Sequence, residues 1–204
     1  MKTTLGKIKS FNPCVPGWKK LCKSLGTTNL DTEVSILQIL EINGVEDAFW
    51  ALRTQEYEDY CIVIADIEES TLHIFEEEHP KDVRPRNLIQ AIRNYKVRKI
   101  SKKELITFHN SACIAYNAVA YDAVNTTTAA ATAANAAASV YAADAANDTD
   151  VDATYAYAAV VSAAVAAYYA ADADNAVDAA DAYAYAKENQ WEINENILRK
   201  HLEK

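Results

Sequence analysis

The stretch YEDYCIVIADIEESTLHIFEEE, residues 57–78, decides the fold class. Tyr57, Tyr60, Cys61, Ile64, Ile67, Thr71, Leu72 and Phe75 recur at steps of three and four. That spacing stacks side chains along one side of a helix with about 3.6 residues per turn. The run Glu76-Glu77-Glu78 closes the segment, where the negative end of the helix dipole disfavours acids. Lys81, Arg84 and Arg86 follow at once and can offset it. Downstream, His79-Pro80 breaks the helix, and Pro85 suits the first position of a new one running to about Tyr95. Leu88, Ile89, Ile92 and Tyr95 form its inward side. Ser101 and Glu104 make a capping box that opens the next helix.

Upstream, Val45–Arg53 reads as a short helix with Ala48, Phe49, Ala51 and Leu52 inward. Asn43-Gly44 ends the helix before it, which Asp31 or Thr32 can cap and which carries Leu37, Ile39, Leu40 and Ile42. The opening LGKIKSFNPCVPGWKKLCKSLG, residues 5–26, reads as a loop and then a helix Trp18–Leu25 stopped by Gly26. Trp18, Leu21, Cys22 and Leu25 share one face of that helix.

Residues 112–186 hold 34 alanines in 75 positions, and alanine loses no side-chain entropy in a helix. A single rod of that length would span roughly 110 Å, against a radius of gyration of about 17 Å for a compact chain of this size. The tract must therefore fold back, with Asn147–Asp150 the best break and Asp172–Asn175 a second one. Tyrosines from Tyr116 to Tyr185 can fill the margins that alanine leaves open. Trp191, Ile193, Ile197 and Leu198 mark a final amphipathic helix. The expected architecture is all-α: a helical bundle with long Ala-rich antiparallel helices packed against shorter N-terminal helices. Residues 1–43 read as an N-terminal extension and 44–204 as a helical domain that includes the tract 112–186.

Charge is segregated. The net charge is −9, yet residues 104–186 contain ten acids and no Lys or Arg, while the rest of the chain has 20 basic and 19 acidic groups. Overall acidity argues against general nucleic-acid binding. No apolar run is long enough to span a bilayer and no signal-peptide core opens the chain, so a cytoplasmic protein is expected. Cys14, Cys22, Cys61 and Cys113 are scattered without a CxxC pair or a histidine cluster. Reduced thiols, no metal and no cofactor are the expectation. His73, His79, His109 and His201 lack a nucleophile motif, and no glycine-rich phosphate loop exists. No enzyme activity and no catalytic residue is expected.

Three constellations are candidate sites. The segment Lys81–Lys103 has nine basic residues against Asp82 alone. Arg84, Arg86 and Arg93 could hold a nucleotide or another small anion, or they could dock the helix on acids elsewhere in the chain. Trp50 and Arg53, at i and i+3, could stack on a base, or simply pack in the core. Asp144, Asp148, Asp150, Asp152, Asp172, Asp174, Asp178 and Asp181 could present an acidic face to a protein partner, or keep an alanine helix soluble. The Asp148–Asp152 stretch lacks the glycine and terminal glutamate of a calcium loop.

The order of Asp47-Ala-Phe-Trp-Ala-Leu-Arg53, His73-Ile-Phe-Glu76, Asp82-Val-Arg-Pro-Arg86, Ala91-Ile-Arg-Asn-Tyr95 and an alanine-rich tail resembles the Imm-5-like immunity proteins. The likeness covers about residues 44–186, and the opening LGKI…GWKKL…LG resembles an extension of phage-borne members. Tails in that family carry Arg and Trp, whereas this tract uses Tyr, Asp, Asn and Thr, so partner contacts through tail arginines do not carry over. The resemblance implies a non-enzymatic protein that neutralises a protein target such as a toxin, nuclease or host defence component. Nucleotide sequestration and oligomerisation, including a homodimer through the Ala-rich helices, are the alternatives.

Overall fold

A computed structural model describes residues 1–122 and 176–203. Its elements in chain order are β1 (Lys2–Thr4), α1 (Leu5–Ser10), α2 (Val15–Leu25), β2 (Glu33–Ser35), α3 (Ile36–Asn43), α4 (Val45–Ala51), a 3-10 turn (Leu52–Thr54), α5 (Tyr57–Glu78), α6 (Arg84–Lys96), α7 (Lys102–Asp122) and α8 (Ala176–Leu202). The protein is an all-α bundle, with one antiparallel two-stranded pair among the described residues. The breaks expected at Asn147–Asp150 and Asp172–Asn175, and most of the Ala-rich tract, lie outside the described residues.

The first 35 residues differ from the sequence reading. Thr3 pairs with Val34, flanked by Lys2 with Ser35 and Thr4 with Glu33. Strands of three residues are too short to show a period, so neither was legible, and Leu5–Ser10, which reads as part of a loop, is helix α1. The pair sets the caps of both following helices. Thr4 accepts from the Lys7 N–H at 3.1 Å and starts α1. Ser35 and Gln38 form a reciprocal capping box on α3, at 3.0 and 2.9 Å. The cap of α3 is therefore Ser35 and not Asp31 or Thr32, because β2 holds residues 33–35 extended. Helix α2 also begins earlier than Trp18, at Val15, with Pro16 in its first turn and the Cys14 sulfur accepting from Gly17 N–H. Gly26 ends it at φ +66, a left-handed conformation that glycine adopts without a Cβ clash.

Between α3 and α4 only Gly44 intervenes, at φ +104 and ψ 176, a backbone region essentially confined to glycine. It lets two helices meet at an angle without a linker. Ser101 and Glu104 do form the capping box that starts α7, with Ser101 N–H donating to Glu104 at 2.8 Å.

Helix α5 organises the interior. Tyr60, Val63, Ile64, Ile67 and Ile74 join a cluster with Leu5, Ile8, Val34, Ile36, Phe49, Leu52 and Leu198. Cys61, Ala65, Leu72 and Phe75 join a second one with Leu88, Ile89, Ile92, Leu105, Ala112 and Ala115. Residues 1–43 thus share a core with α4, α5 and α8. Helix α8 returns to this core through Ala186, Gln190, Asn194 and Leu198, all buried and spaced by four. Gln190 donates to Asn194 at 2.9 Å and to Ser70 of α5 at 3.3 Å. Trp191 and Ile197 flank that stripe, and the Trp191 ring lies 6.2 Å from Phe49.

Ile67 is fully buried where α5 meets the first cluster. Ile67→Ala is expected to lower unfolding free energy by about 2–5 kcal/mol, read as a fall in the urea midpoint at constant slope. A loss under about 1 kcal/mol would show that this contact is not part of the stable core.

Candidate functional site

The basic helix α6 lies against the acidic flank of α5. Arg93 reaches two acids of α5: Nη2 donates to Asp66 at 2.8 Å and to Glu69 at 2.6 Å, and Nη1 adds a bond to Glu69 at 3.1 Å. Arg86 forms a fork with Glu76 at 2.8 and 2.6 Å. Arg84 grips Asp82, with Nε at 2.9 Å and Nη2 at 2.5 Å. Lys96 donates to the Glu58 carbonyl, and the Tyr95 hydroxyl to the Glu58 carboxylate at 2.7 Å. All three arginines singled out for anion binding therefore hold a carboxylate, which an incoming phosphate would have to displace. The exposed cations Lys81, Arg98, Lys99, Lys102 and Lys103 have no ion-pair partner among the described residues.

Asp66 is the hub of this network. Its second oxygen lies 2.8 Å from Nε2 of His201 on α8, so three helices converge on one carboxylate. Burial pushes the Asp66 acid up, but the bonds from His201 and Arg93 outweigh that and hold it below the ordinary value. The Arg93 hydrogen bond lowers Glu69 in the same way, and the Arg84 bond lowers Asp82. Tyr95, partly desolvated and bonded to Glu58, is pushed up to about 12. Burial pushes the Cys61 thiol up to about 11, which leaves it protonated and unreactive at neutral pH.

Trp50 and Arg53 do come together. The guanidinium carbon sits 4.2 Å from the centre of the indole ring, and Nε donates to the Trp50 carbonyl at 2.9 Å. Arg53 is buried at 8 % exposure, so the stack is an internal contact at the end of α4. Asp144, Asp148, Asp150, Asp152, Asp172 and Asp174 lie outside the described residues. Asp178 and Asp181 fall on α8; the structure describes no more of them than that.

A feature the sequence reading missed is a cleft of about 280 Å³ between α2, α3 and α4. Trp18, Leu21, Ile39 and Trp50 line it together with Glu46 and Asp47. No local signal marks it, because its walls come from three helices and each residue has a routine role on its own element. Among the described residues no group of three His, Cys, Asp or Glu is placed to hold a metal, and no helix is long and apolar enough to cross a membrane. Comparisons with models of known families, with characterised proteins and with solved structures find no match to this chain.

The α5–α6 pairing generates two expectations. Arg93→Ala, which strands Asp66 and Glu69, is expected to cost about 1–3 kcal/mol, and more than Arg86→Ala, whose guanidinium is largely in water. Equal effects in denaturant melts would refute the ranking. Because Asp66, Glu69 and Asp82 are lowered in the folded state, their contribution is present above the ordinary acid values of 3.8–4.5. It is lost as pH falls through the lower folded values. Stability is expected to drop progressively below about pH 4.5, and Asp66→Asn to flatten that drop; an unchanged acid limb would remove the network as its cause.

Proposed function

We propose that this chain is a non-enzymatic binding protein that neutralises a protein target by occupying its surface, as an immunity protein or a phage-encoded inhibitor of a host nuclease or defence system. The observation that carries the reading is the segregation of charge: ten acids and no Lys or Arg across residues 104–186. A one-sign stretch of this kind, where solvent reaches it, steers association with a basic partner and raises its on-rate. The likeness of the Asp47–Arg53, Asp82–Arg86 and Ala91–Tyr95 segments to Imm-5-like proteins points the same way.

The internal pairing of Arg84, Arg86 and Arg93 weakens the competing nucleotide-sequestering reading. A phosphate would gain those guanidiniums only by unpairing four carboxylates.

The test is co-purification with the products of neighbouring genes and with basic host nucleases. A stoichiometric complex is expected that weakens as salt shortens the screening length below about 8 Å, and that is lost when Asp144, Asp148, Asp150 and Asp152 are changed together to Asn. A complex indifferent to both salt and these substitutions would overturn the acidic-face reading, and the absence of any such complex would overturn the function.

A further inference from the structure

The cleft between α2, α3 and α4 has an arrangement that core packing does not account for. Its walls are aromatic and aliphatic: Trp18 and Leu21 from α2, Ile39 from α3, Trp50 from α4. Its polar side is anionic, with Glu46 exposed and Asp47 partly buried. Neither acid has a basic partner within ion-pair distance among the described residues.

Asp47 is held in place. Asn43 donates from the same Nδ2 to the Gly17 carbonyl at 2.9 Å and to Asp47 Oδ2 at 2.5 Å, tying α2, α3 and α4 together at the carboxylate. Gly17 is the residue that leaves it room, because a Cβ there would collide with Asp47 Oδ2 and press on the Cys14 sulfur. Both acids sit in the first turn of α4, where the helix dipole favours negative charge. That accounts for an acid at this helix end, but not for its being fixed beside two indoles at an open cleft. Each indole also has one cation of the chain beside it. Lys9 lies 4.9 Å from the centre of the Trp18 ring and Arg53 4.2 Å from that of Trp50, and neither cation lines the cleft.

We infer that this cleft binds an organic cation, an ammonium or guanidinium group carried on a short apolar or aromatic stem. The stem fills the space between the indoles, and the cation meets Asp47 and Glu46. Charge selects the sign, the rings add cation–π attraction, and the volume, near the lower end of ligand-pocket sizes, limits the ligand to a small amine or one basic side chain. This inference does not depend on the protein-neutralising reading, since the cleft belongs to the N-terminal helices and not to the acidic tract.

Cys14 lines the same cleft and is exposed, which provides the readout. The full-length protein is treated with iodoacetamide, and alkylation of the Cys14 peptide is followed by mass mapping so that other thiols do not count. Phenethylamine is compared with its neutral counterpart 2-phenylethanol, and a capped Ala-Arg-Ala tripeptide serves as a second cation. The amine is expected to protect Cys14 at about tenfold lower concentration than the alcohol. Protection by the tripeptide as well would assign the site to a basic side chain of a partner, and protection by the amine alone to a free amine.

Glu46→Gln with Asp47→Asn should abolish the preference while leaving protection by the alcohol unchanged. If Asp47→Asn does not fold, Glu46→Gln alone, at an exposed position, should still reduce it. Equal protection by amine and alcohol, protection by neither, or a preference that survives loss of the acids would overturn the inference. None of these outcomes bears on whether a protein target is captured.

Discussion

Everything in this structure hangs on the burial of α5 along two adjacent stripes. Successive residues of an α-helix point about 100° apart, so a pair of neighbours can face two directions at once. Helix α5 uses such pairs repeatedly: Tyr60 with Cys61, Ile64 with Ala65, Ile74 with Phe75. The first member of each pair enters the core built by the N-terminal helices and α8, and the second enters the core built with α6 and α7. One helix therefore joins two hydrophobic clusters, and only a narrow sector remains for charge. Asp66, Glu69 and Glu76 lie in that sector. Arg86 and Arg93 of α6 and His201 of α8 come to it. The ion-pair network is thus a consequence of how α5 is buried, and it fixes the orientation of helices that hydrophobic contact alone would leave free to slide.

What could be read in the sequence follows from the length of each signal. Tyr57–Glu78 spans six turns, and its boundaries and most of its inward residues are as the period dictates. Gly26 and the Ser101–Glu104 box are local chemical signals and fall where expected. The β1–β2 pair has no signal within either strand, since its meaning lies in a partner about thirty residues away, and the cap of α3 was misplaced with it. Helix α8 forms where expected, with Trp191, Ile197 and Leu198 against the core, but its buried amides had no signal. Its stripe of Ala186, Gln190, Asn194 and Leu198 is half polar, and a hydrophobic pattern cannot reveal amides that are buried because they bond to each other and to Ser70.

The candidate sites divide along the same line. The proximity of Trp50 and Arg53 was legible because i and i+3 meet on any helix. The destination of Arg84, Arg86 and Arg93 was not, because a list of basic residues does not say whether carboxylates from another helix will be waiting. The cleft had no sequence signature at all. Cys14 and Gly17 read as loop chemistry, Asn43 as a helix end, and Asp47 as part of a family-like segment. Only the junction of α2, α3 and α4 shows that they meet.

Two aspartates show where binding capacity remains in this molecule. Asp66 is surrounded: Arg93 takes one oxygen and His201 the other, both inside the fold. A ligand cation offered to it would only replace what is already there. Asp47 is positioned just as firmly, by Asn43 and by the space at Gly17, but its hydrogen bond comes from a neutral amide that orients the group without cancelling its charge. In a partly desolvated setting a fixed, uncompensated carboxylate attracts a cation more strongly than a mobile surface acid does, and the geometry needed to receive one is already formed. The arginines of α6 are therefore already engaged by carboxylates, while the modest junction between three short helices keeps an unbalanced charge facing an open aromatic space.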